Sequence, residues 1–262
     1  MTGTTMIFKT GQVECFVYIT LPGQTFPVTA GKFTRTPDRT GTAIGRFRYG
    51  KSYLGRPNAV PLDPIELKLS DHTYTTVALK GLFGALRDAG PDAWGRRVIE
   101  RHVGPTELSE IDYLLFSPDD RAGALSFGLV QEPSALPSTI NQALALDKFQ
   151  TIADAIVRDE QLPTNSAAPV IDELVLVGTS MGGARPKTVV EDQEGWWLAK
   201  FNRPDDRWNY ALVEHAMLTL AKECGITSAH SKVVEVAGRD VLLAARFDRE
   251  RSASGHYPRS GS

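Results

Sequence analysis

The chain has 262 residues, 42% of them hydrophobic, and a net charge of −2 with a pI near 6.2. That composition supports one or two buried cores and excludes a global electrostatic field for nucleic acid or a membrane surface. Cys15 and Cys224 form neither a C-x-x-C pair nor a zinc pattern, and there is no apolar leader or membrane-length run, so free thiols, a cytoplasmic location and no membrane contact are expected.

Residues Gln12–Thr20, Phe26–Phe33 and Thr42–Tyr49 alternate between apolar and polar and are punctuated by glycine and proline, which predicts a small antiparallel sheet. Seven basic residues against one acidic residue, Asp38, lie between Lys32 and Arg56. That excess can meet phosphate or an acidic partner, a solvated strand face being the simpler reading. Pro57–Leu69 is proline-rich and reads as extended. The pattern then predicts a helix over Val77–Leu86 and another from Pro91-Asp92 to about Val103, with Pro and Asp suited to a first turn. Ser109–Phe116 reads as a short helix capped by Ser109, and Ala122–Val130 as a strand. Gln131–Asn141 reads as a linker, Phe149, Ile152, Ala153, Ile156 and Val157 mark an amphipathic helix, and Leu162–Pro169 reads as a second linker.

The segment Val175–Lys200 carries the chemistry. Leu174–Val177 is a short β-rich run. It opens into Gly178-Thr-Ser180-Met-Gly182-Gly183-Ala184-Arg-Pro-Lys187, where glycines let the backbone turn tightly and leave amide N–H groups free to approach an anion. Thr188–Val190 reads as a second strand, Glu191–Gly195 as a turn and Trp196–Phe201 as a third strand. Period-2 alternation puts Trp196, Leu198 and Lys200 on one face, so Lys200 needs a partner.

Three chemistries compete for this loop. A Walker-type phosphate loop is nearly matched by Gly178 and Gly183, but it requires a helix after its lysine, and Pro186-Lys-Thr-Val-Val190 is a poor helix start. Gly178-Thr-Ser180-Met-Gly182 satisfies G-x-S-x-G, with His215, His230 and His256 downstream, but a nucleophile elbow also leads into a helix. The third is the nucleotide-covering hairpin of a protein-kinase-like N-terminal lobe, in which a glycine loop lies over the phosphates and a lysine on the third strand pairs with them. Downstream order favours it. Trp208–Cys224 has apolar residues at 213, 216, 217, 220, 221 and 224, one helical stripe ended by Gly225. Glu214 lies on its flank, able to turn inward and meet Lys200. Ser231–Val236 and Val241–Phe247 read as two further strands joined by Ala-Gly-Arg-Asp.

The segments Ser180-Met-Gly-Gly-Ala-Arg-Pro-Lys187, Trp197-Leu-Ala-Lys200, Ala221-Lys-Glu-Cys-Gly225 and Ala245-Arg-Phe-Asp-Arg249, with Gly81–Arg97 upstream, resemble the HipA family of serine/threonine kinases, the toxins of bacterial toxin–antitoxin pairs. The resemblance implies that Gly182, Gly183, Ala184, Lys187 and Lys200 bind ATP with magnesium, that Glu214 partners Lys200, and that Ser180 is an autophosphorylation site that switches activity off. It further implies hinge contacts from Arg246 and Phe247, with Asp248 near the ribose. Its implied partners are a HipB-like helix-turn-helix antitoxin, DNA only through that antitoxin, and a translation-related substrate such as an aminoacyl-tRNA synthetase.

Two departures accompany the resemblance. Ala245 stands where some members carry an acidic residue. None of the five histidines begins an H-x-D motif, so the catalytic and magnesium-binding aspartates of a kinase are not recognisable, and the chain is expected to stop at the hinge. The resulting expectation is an α+β chain. Residues 1–130 would form a HipA-like N-terminal α/β subdomain and 131–170 a linker with one helix. Residues 171–249 would form a kinase-like lobe of antiparallel sheet plus one helix, with the catalytic lobe missing, and 250–262 a disordered tail. The alternative is a catalytically inactive module that only binds the antitoxin or another partner.

Overall fold

The structure is a computed structural model describing residues 13–118, 121, 123–133, 146–160 and 183–248. The expected strand 174–177, the loop residues 178–182 with Ser180 and Gly182, the linker 162–169 and the tail 250–262 lie outside the described residues. Contacts divide the chain into two compact units, one holding Met1–Pro91 and Pro105–Leu136 and the other Asp92–Gly104 and Pro137–Ser260.

In the first unit, strands β1 (Glu14–Ile19), β2 (Val28–Pro37), β3 (Ala43–Tyr49), β4 (Tyr74–Thr76) and β5 (Leu125–Gly128) form an antiparallel sheet in the order β4-β3-β2-β1-β5. Alternation does what the sequence requires. Cys15, Phe33 and Phe47 stand opposite one another on three neighbouring strands, and all three are buried. Burial pushes the Cys15 thiol up to about 12, which keeps it protonated and inert. The Tyr49 hydroxyl donates to the Leu67 carbonyl at 2.5 Å and accepts from the Leu62 amide at 2.8 Å, which ties the irregular 57–69 segment to the sheet. The one-turn α1 (Lys51–Leu54) and three-residue β4 are too short to leave a periodic signal.

The predicted helix over 77–86 is broken. A single turn, α2 (Ala78–Gly81), takes left-handed angles at Leu79, Lys80 and Gly81, and a separate α3 (Gly84–Asp88) follows. Tertiary packing overrides propensity here: the Gly81 carbonyl presses so closely on Gly45 that a Cβ there would sit 2.0 Å from it, and Leu82 and Leu86 then enter the core. Helix α4 (Ala93–Val103) starts on Asp92, whose side chain accepts from the Gly95 amide at 2.7 Å. Helix α5 (Glu110–Phe116) opens with the expected Ser109 cap, completed by Asp112 into a capping box.

The second unit has a four-stranded antiparallel sheet, β6 (Lys187–Asp192), β7 (Gly195–Phe201), β8 (Ser231–Val236) and β9 (Arg239–Ala245), in the order β6-β7-β9-β8. On one face Val190, Trp197, Phe201, Val241 and Leu243 pack against α6 (Leu146–Arg158) and α4. Helix α4, read from sequence with the first subdomain, belongs to this core: Trp94 and Val98 are fully buried in it, and the Trp94 indole donates to the Lys187 carbonyl at 3.2 Å. The opposite face carries α7 (Tyr210–Glu223), capped by Asn209, whose side chain accepts from the Leu212 amide. No helix among the described residues is long and apolar enough to cross a membrane.

Two turns give testable consequences. The β8–β9 hairpin turns through Ala237 and Gly238, both at positive φ, the geometry that matches strand twist. A Cβ in that region costs about 1–2 kcal/mol, so Ala237→Gly should raise the midpoint of urea unfolding, and a lowered midpoint would contradict the geometry. In the β6–β7 turn, Asp192 accepts from Trp197 Nε1 at 2.7 Å, from the Glu194 and Gly195 amides, and from Lys232 Nζ at 2.7 Å. Burial acts to raise the Asp192 carboxyl, but the Lys232 and Trp197 hydrogen bonds outweigh it and hold the group below 3.8. Its folded value is depressed, so its contribution is complete above 3.8 and is lost as pH falls through the lower folded value. Asp192→Asn should therefore flatten the acid limb of a stability-versus-pH curve, and an unchanged limb would exclude this role.

Candidate functional site

The β6–β7 register sets Lys187 directly opposite Lys200, with both side chains on the face of α7. Like charges so placed repel, and the fold answers with one carboxylate for each. Lys200 Nζ donates to Glu214 Oε1 of α7 at 2.5 Å, a pair about one-third exposed. Lys187 Nζ donates to Asp92 Oδ2 at 2.8 Å and to the Arg185 carbonyl at 3.2 Å, with only 4% of its side chain exposed. Burial depresses the Lys187 ammonium below its ordinary 10.5, Asp92 opposes that shift, and the charge of Lys200 reinforces it.

Helix α7 is turned so that its polar flank meets the sheet. Besides the Lys200–Glu214 pair, His215 Nδ1 lies 2.9 Å from Ser231 Oγ, and Ala211 is the buried apolar contact. The stripe read from sequence consequently faces outward: Val213, Met217 and Leu220 are each more than half exposed. Such a strip is an adhesive surface, and a hydrophobic dye should bind the chain and lose most of its signal in Met217→Glu/Leu220→Lys. Equal dye binding by wild type and variant would show that the strip is covered.

At the end of the glycine-rich segment, Gly183 adopts φ +119°, and a Cβ there would lie 3.0 Å from Lys187 Nζ. The chain then runs through exposed Ala184 and through Arg185, which pairs with Asp206 and stacks 4.2 Å over Tyr210, directly into strand β6. A strand follows where both the Walker loop and the nucleophile elbow demand a helix, and neither reading survives.

The far end of β9 holds the remaining predicted residues. The Arg246 amide donates to the Trp196 carbonyl at 2.9 Å, and the buried Arg246 guanidinium grips Asp248 with bonds of 2.9 and 2.6 Å. Phe247 stands 88% exposed. Lys200 opposes Leu242, Trp197 opposes Ala245 and the Arg246 amide meets the Trp196 carbonyl, so the Lys200 rung and the start of the 246–248 turn are separated by four rungs, about 13 Å along the strands. Lys200, Glu214, Gly183 and Lys187 thus gather at one end of the sheet and Arg246, Phe247 and Asp248 lie beyond the other. Among the described residues, no group of three His, Cys, Asp or Glu could hold a metal ion.

Sequence reasoning missed Asp92 as the partner of Lys187. The two lie 95 positions apart, and Asp92 announces itself in sequence only as a helix start. It likewise missed the network in which Asn209 joins Asn202 at 2.8 Å and Asp240 at 2.5 Å, fixing the start of α7 to β9.

Residues 27–128 match the family model described as HipA N-terminal domain, and residues 179–259 match that described as HipA-like C-terminal domain. The chain, expected to stop at the hinge of a kinase-like lobe with the catalytic lobe missing, thus carries HipA-like C-terminal-domain sequence over 179–259. No curated protein matches the chain by sequence. Among solved structures, the fold is similar to a chain of the Shewanella oneidensis MR-1 toxin–antitoxin system HipA, HipB and operator DNA complex, with a TM-score of 0.52 and 16% identity. The match covers 94% of this chain and 53% of that one, so the present chain spans about half the length of its structural relative. With N-terminal and C-terminal family models matched in order along two α/β units built on antiparallel sheets, the chain belongs to the HipA family.

Proposed function

We propose that the second unit is the nucleotide-binding part of a HipA-like toxin, a serine/threonine kinase. The observation that carries this reading is the 2.5 Å pair between Lys200 and Glu214. A strand lysine after a glycine-rich loop, held by a glutamate of the helix packed on the sheet, is the arrangement with which protein kinases position ATP phosphates. Phosphoryl transfer needs little covalent chemistry from the protein, so positioning of charge is the main contribution a lobe of this kind makes.

The residues present fit a nucleotide. Gly183 keeps side-chain bulk out of the bend beside Lys187, and the backbone of Gly182, Gly183 and Ala184 would take the phosphates together with Lys200. Glu214 orients the Lys200 ammonium. Lys187 reaches a phosphate only by leaving Asp92, which makes it the weaker ligand of the two lysines. The exposed Phe247 and the Arg246–Asp248 turn would meet the base and ribose. When bound, ATP with magnesium supplies the phosphoryl group and its charge compensation. In the same reading, phosphorylation of Ser180 switches the loop off. A HipB-like antitoxin restrains the protein and links it to DNA, and the substrate is a translation-related protein such as an aminoacyl-tRNA synthetase.

The outward apolar strip of α7 favours a second reading, a non-enzymatic module whose work is to bind a protein partner. Titration calorimetry separates the two. The first reading expects one ATP site per chain, weakened when magnesium is removed. Absence of ATP binding at millimolar nucleotide would leave the module.

A further inference from the structure

We infer that the outer face of the first unit's sheet is a docking surface for the phosphate backbone of duplex nucleic acid. The inference is independent of the nucleotide reading, because every residue it uses lies in the first unit. With Cys15, Phe33 and Phe47 turned to the core, period-2 alternation sends Phe16, Lys32, Thr34, Arg46 and Arg48 to the other face. There they line an open groove of about 380 Å³ whose walls contain no carboxylate. Gly31 lines it, and a Cβ at that position would sit 2.2 Å from the Arg48 carbonyl and 2.7 Å from the core-facing Phe47 ring, so the close packing of β2 on β3 beneath the groove requires glycine.

The charges in this groove are not accounted for by folding. Lys32 and Arg48 are direct cross-strand neighbours, a like-charge placement that costs stability. Lys32 is partly offset by Glu14 at 2.9 Å on the groove's edge, a pair that is half exposed and so readily exchanged. Among the described residues, Arg46 donates to the Thr36 hydroxyl alone, at 3.2 Å. Arg48 makes no hydrogen bond or ion pair among the described residues. Three of the seven basic residues of 32–56, Lys32, Arg46 and Arg48, meet in this groove in a chain whose net charge is −2, so the positive field is local and orients a polyanion instead of attracting it globally.

The surroundings choose the polyanion. Arg46 and Arg48 are spaced about 6.7 Å apart along β3, with Lys32 about 5 Å across on β2, which makes a flat row of forked donors suited to successive phosphates. Thr34 and Thr73 add hydroxyl donors of the kind that bind phosphate oxygens. Phe16 is the aromatic ring facing the charges; it is half-buried with the Lys32 ammonium 5.8 Å above it, so the face offers no stacking platform for unpaired bases. Backbone contact to a duplex, without sequence reading, is what remains.

The test is fluorescence anisotropy of a labelled mixed-sequence DNA duplex with the 262-residue chain across a salt series. Neutralising two phosphates gives a slope of log K against log salt of about −1.8, and about −2.7 if Lys32 leaves Glu14. Arg48→Ala should flatten the slope by about 1, Arg46→Ala/Arg48→Ala should lose most of the binding at low salt, and Lys222→Ala on α7 should match wild type. The pair Arg46→Lys/Arg48→Lys keeps the charge and should keep the slope, which guards against a folding artefact in the alanine variant. Failure of wild type to bind at low salt, an unchanged slope in the double alanine variant that melts like wild type, or displacement of the duplex by an equal charge concentration of polyglutamate would each overturn the inference.

Discussion

Asp92→Ala should destabilise the second unit by about 3–5 kcal/mol, the cost of leaving a buried lysine without its counter-charge. Lys187 is 4% exposed and its ammonium is already depressed by burial, so water cannot replace the lost carboxylate. The same substitution removes the N-cap of α4, worth about 1 kcal/mol. Asp92→Asn separates the two effects, because asparagine caps as well as aspartate but carries no charge. Replacing both partners, Asp92→Asn with Lys187→Met, should recover most of the loss, since an uncharged pair of similar volume leaves no buried charge without its partner. Urea unfolding of wild type, Asp92→Asn, Lys187→Met and the double variant gives the coupling energy directly. A cost for Asp92→Ala below about 1 kcal/mol would mean that α4 does not hold the head of β6 as described.

Lys200→Met should weaken ATP binding by about 10- to 100-fold, the worth of a charge-assisted contact of about 1.5–3 kcal/mol. Its pair with Glu214 is about one-third exposed, so the contribution of the pair to stability is only about 0.2–1 kcal/mol. The variant should therefore melt close to wild type, and a loss of binding reads the site and not the fold. Glu214→Gln should cost less than Lys200→Met, because glutamine can still accept a hydrogen bond from Lys200 while losing the charge that fixes its direction. Equal ATP affinity in Lys200→Met and wild type would remove Lys200 from the phosphates.

The strands were legible wherever one face is core and the other polar. β8 coincides with the predicted Ser231–Val236, and β7 differs by one residue from the predicted Trp196–Phe201. The Lys200–Glu214 contact was also accessible, since a lysine on an apolar strand face requires a partner and Glu214 lies on the flank of the next helix. What failed was any inference that assumed an apolar stripe must be the packed one. In α7 the hydrogen-bonding needs of Lys200 and Ser231 outrank the stripe and turn Val213, Met217 and Leu220 outward. The 77–86 segment failed for the complementary reason: its composition is helical, but the close approach of Gly45 and Gly81 admits only a left-handed turn. The place of α4 was hidden because sequence proximity suggests the first unit, whereas Trp94 finds its hydrogen bond 93 residues downstream and its apolar neighbours in the core of the second unit.

A crystal structure of the chain with a non-hydrolysable ATP analogue and magnesium tests the central proposal most directly. The account predicts phosphate oxygens within hydrogen-bond distance of Lys200 Nζ and of the Gly183 amide, with the Lys200–Glu214 pair retained and the base beside Phe247. An analogue bound elsewhere, or one whose phosphates leave Lys200 untouched, would contradict it.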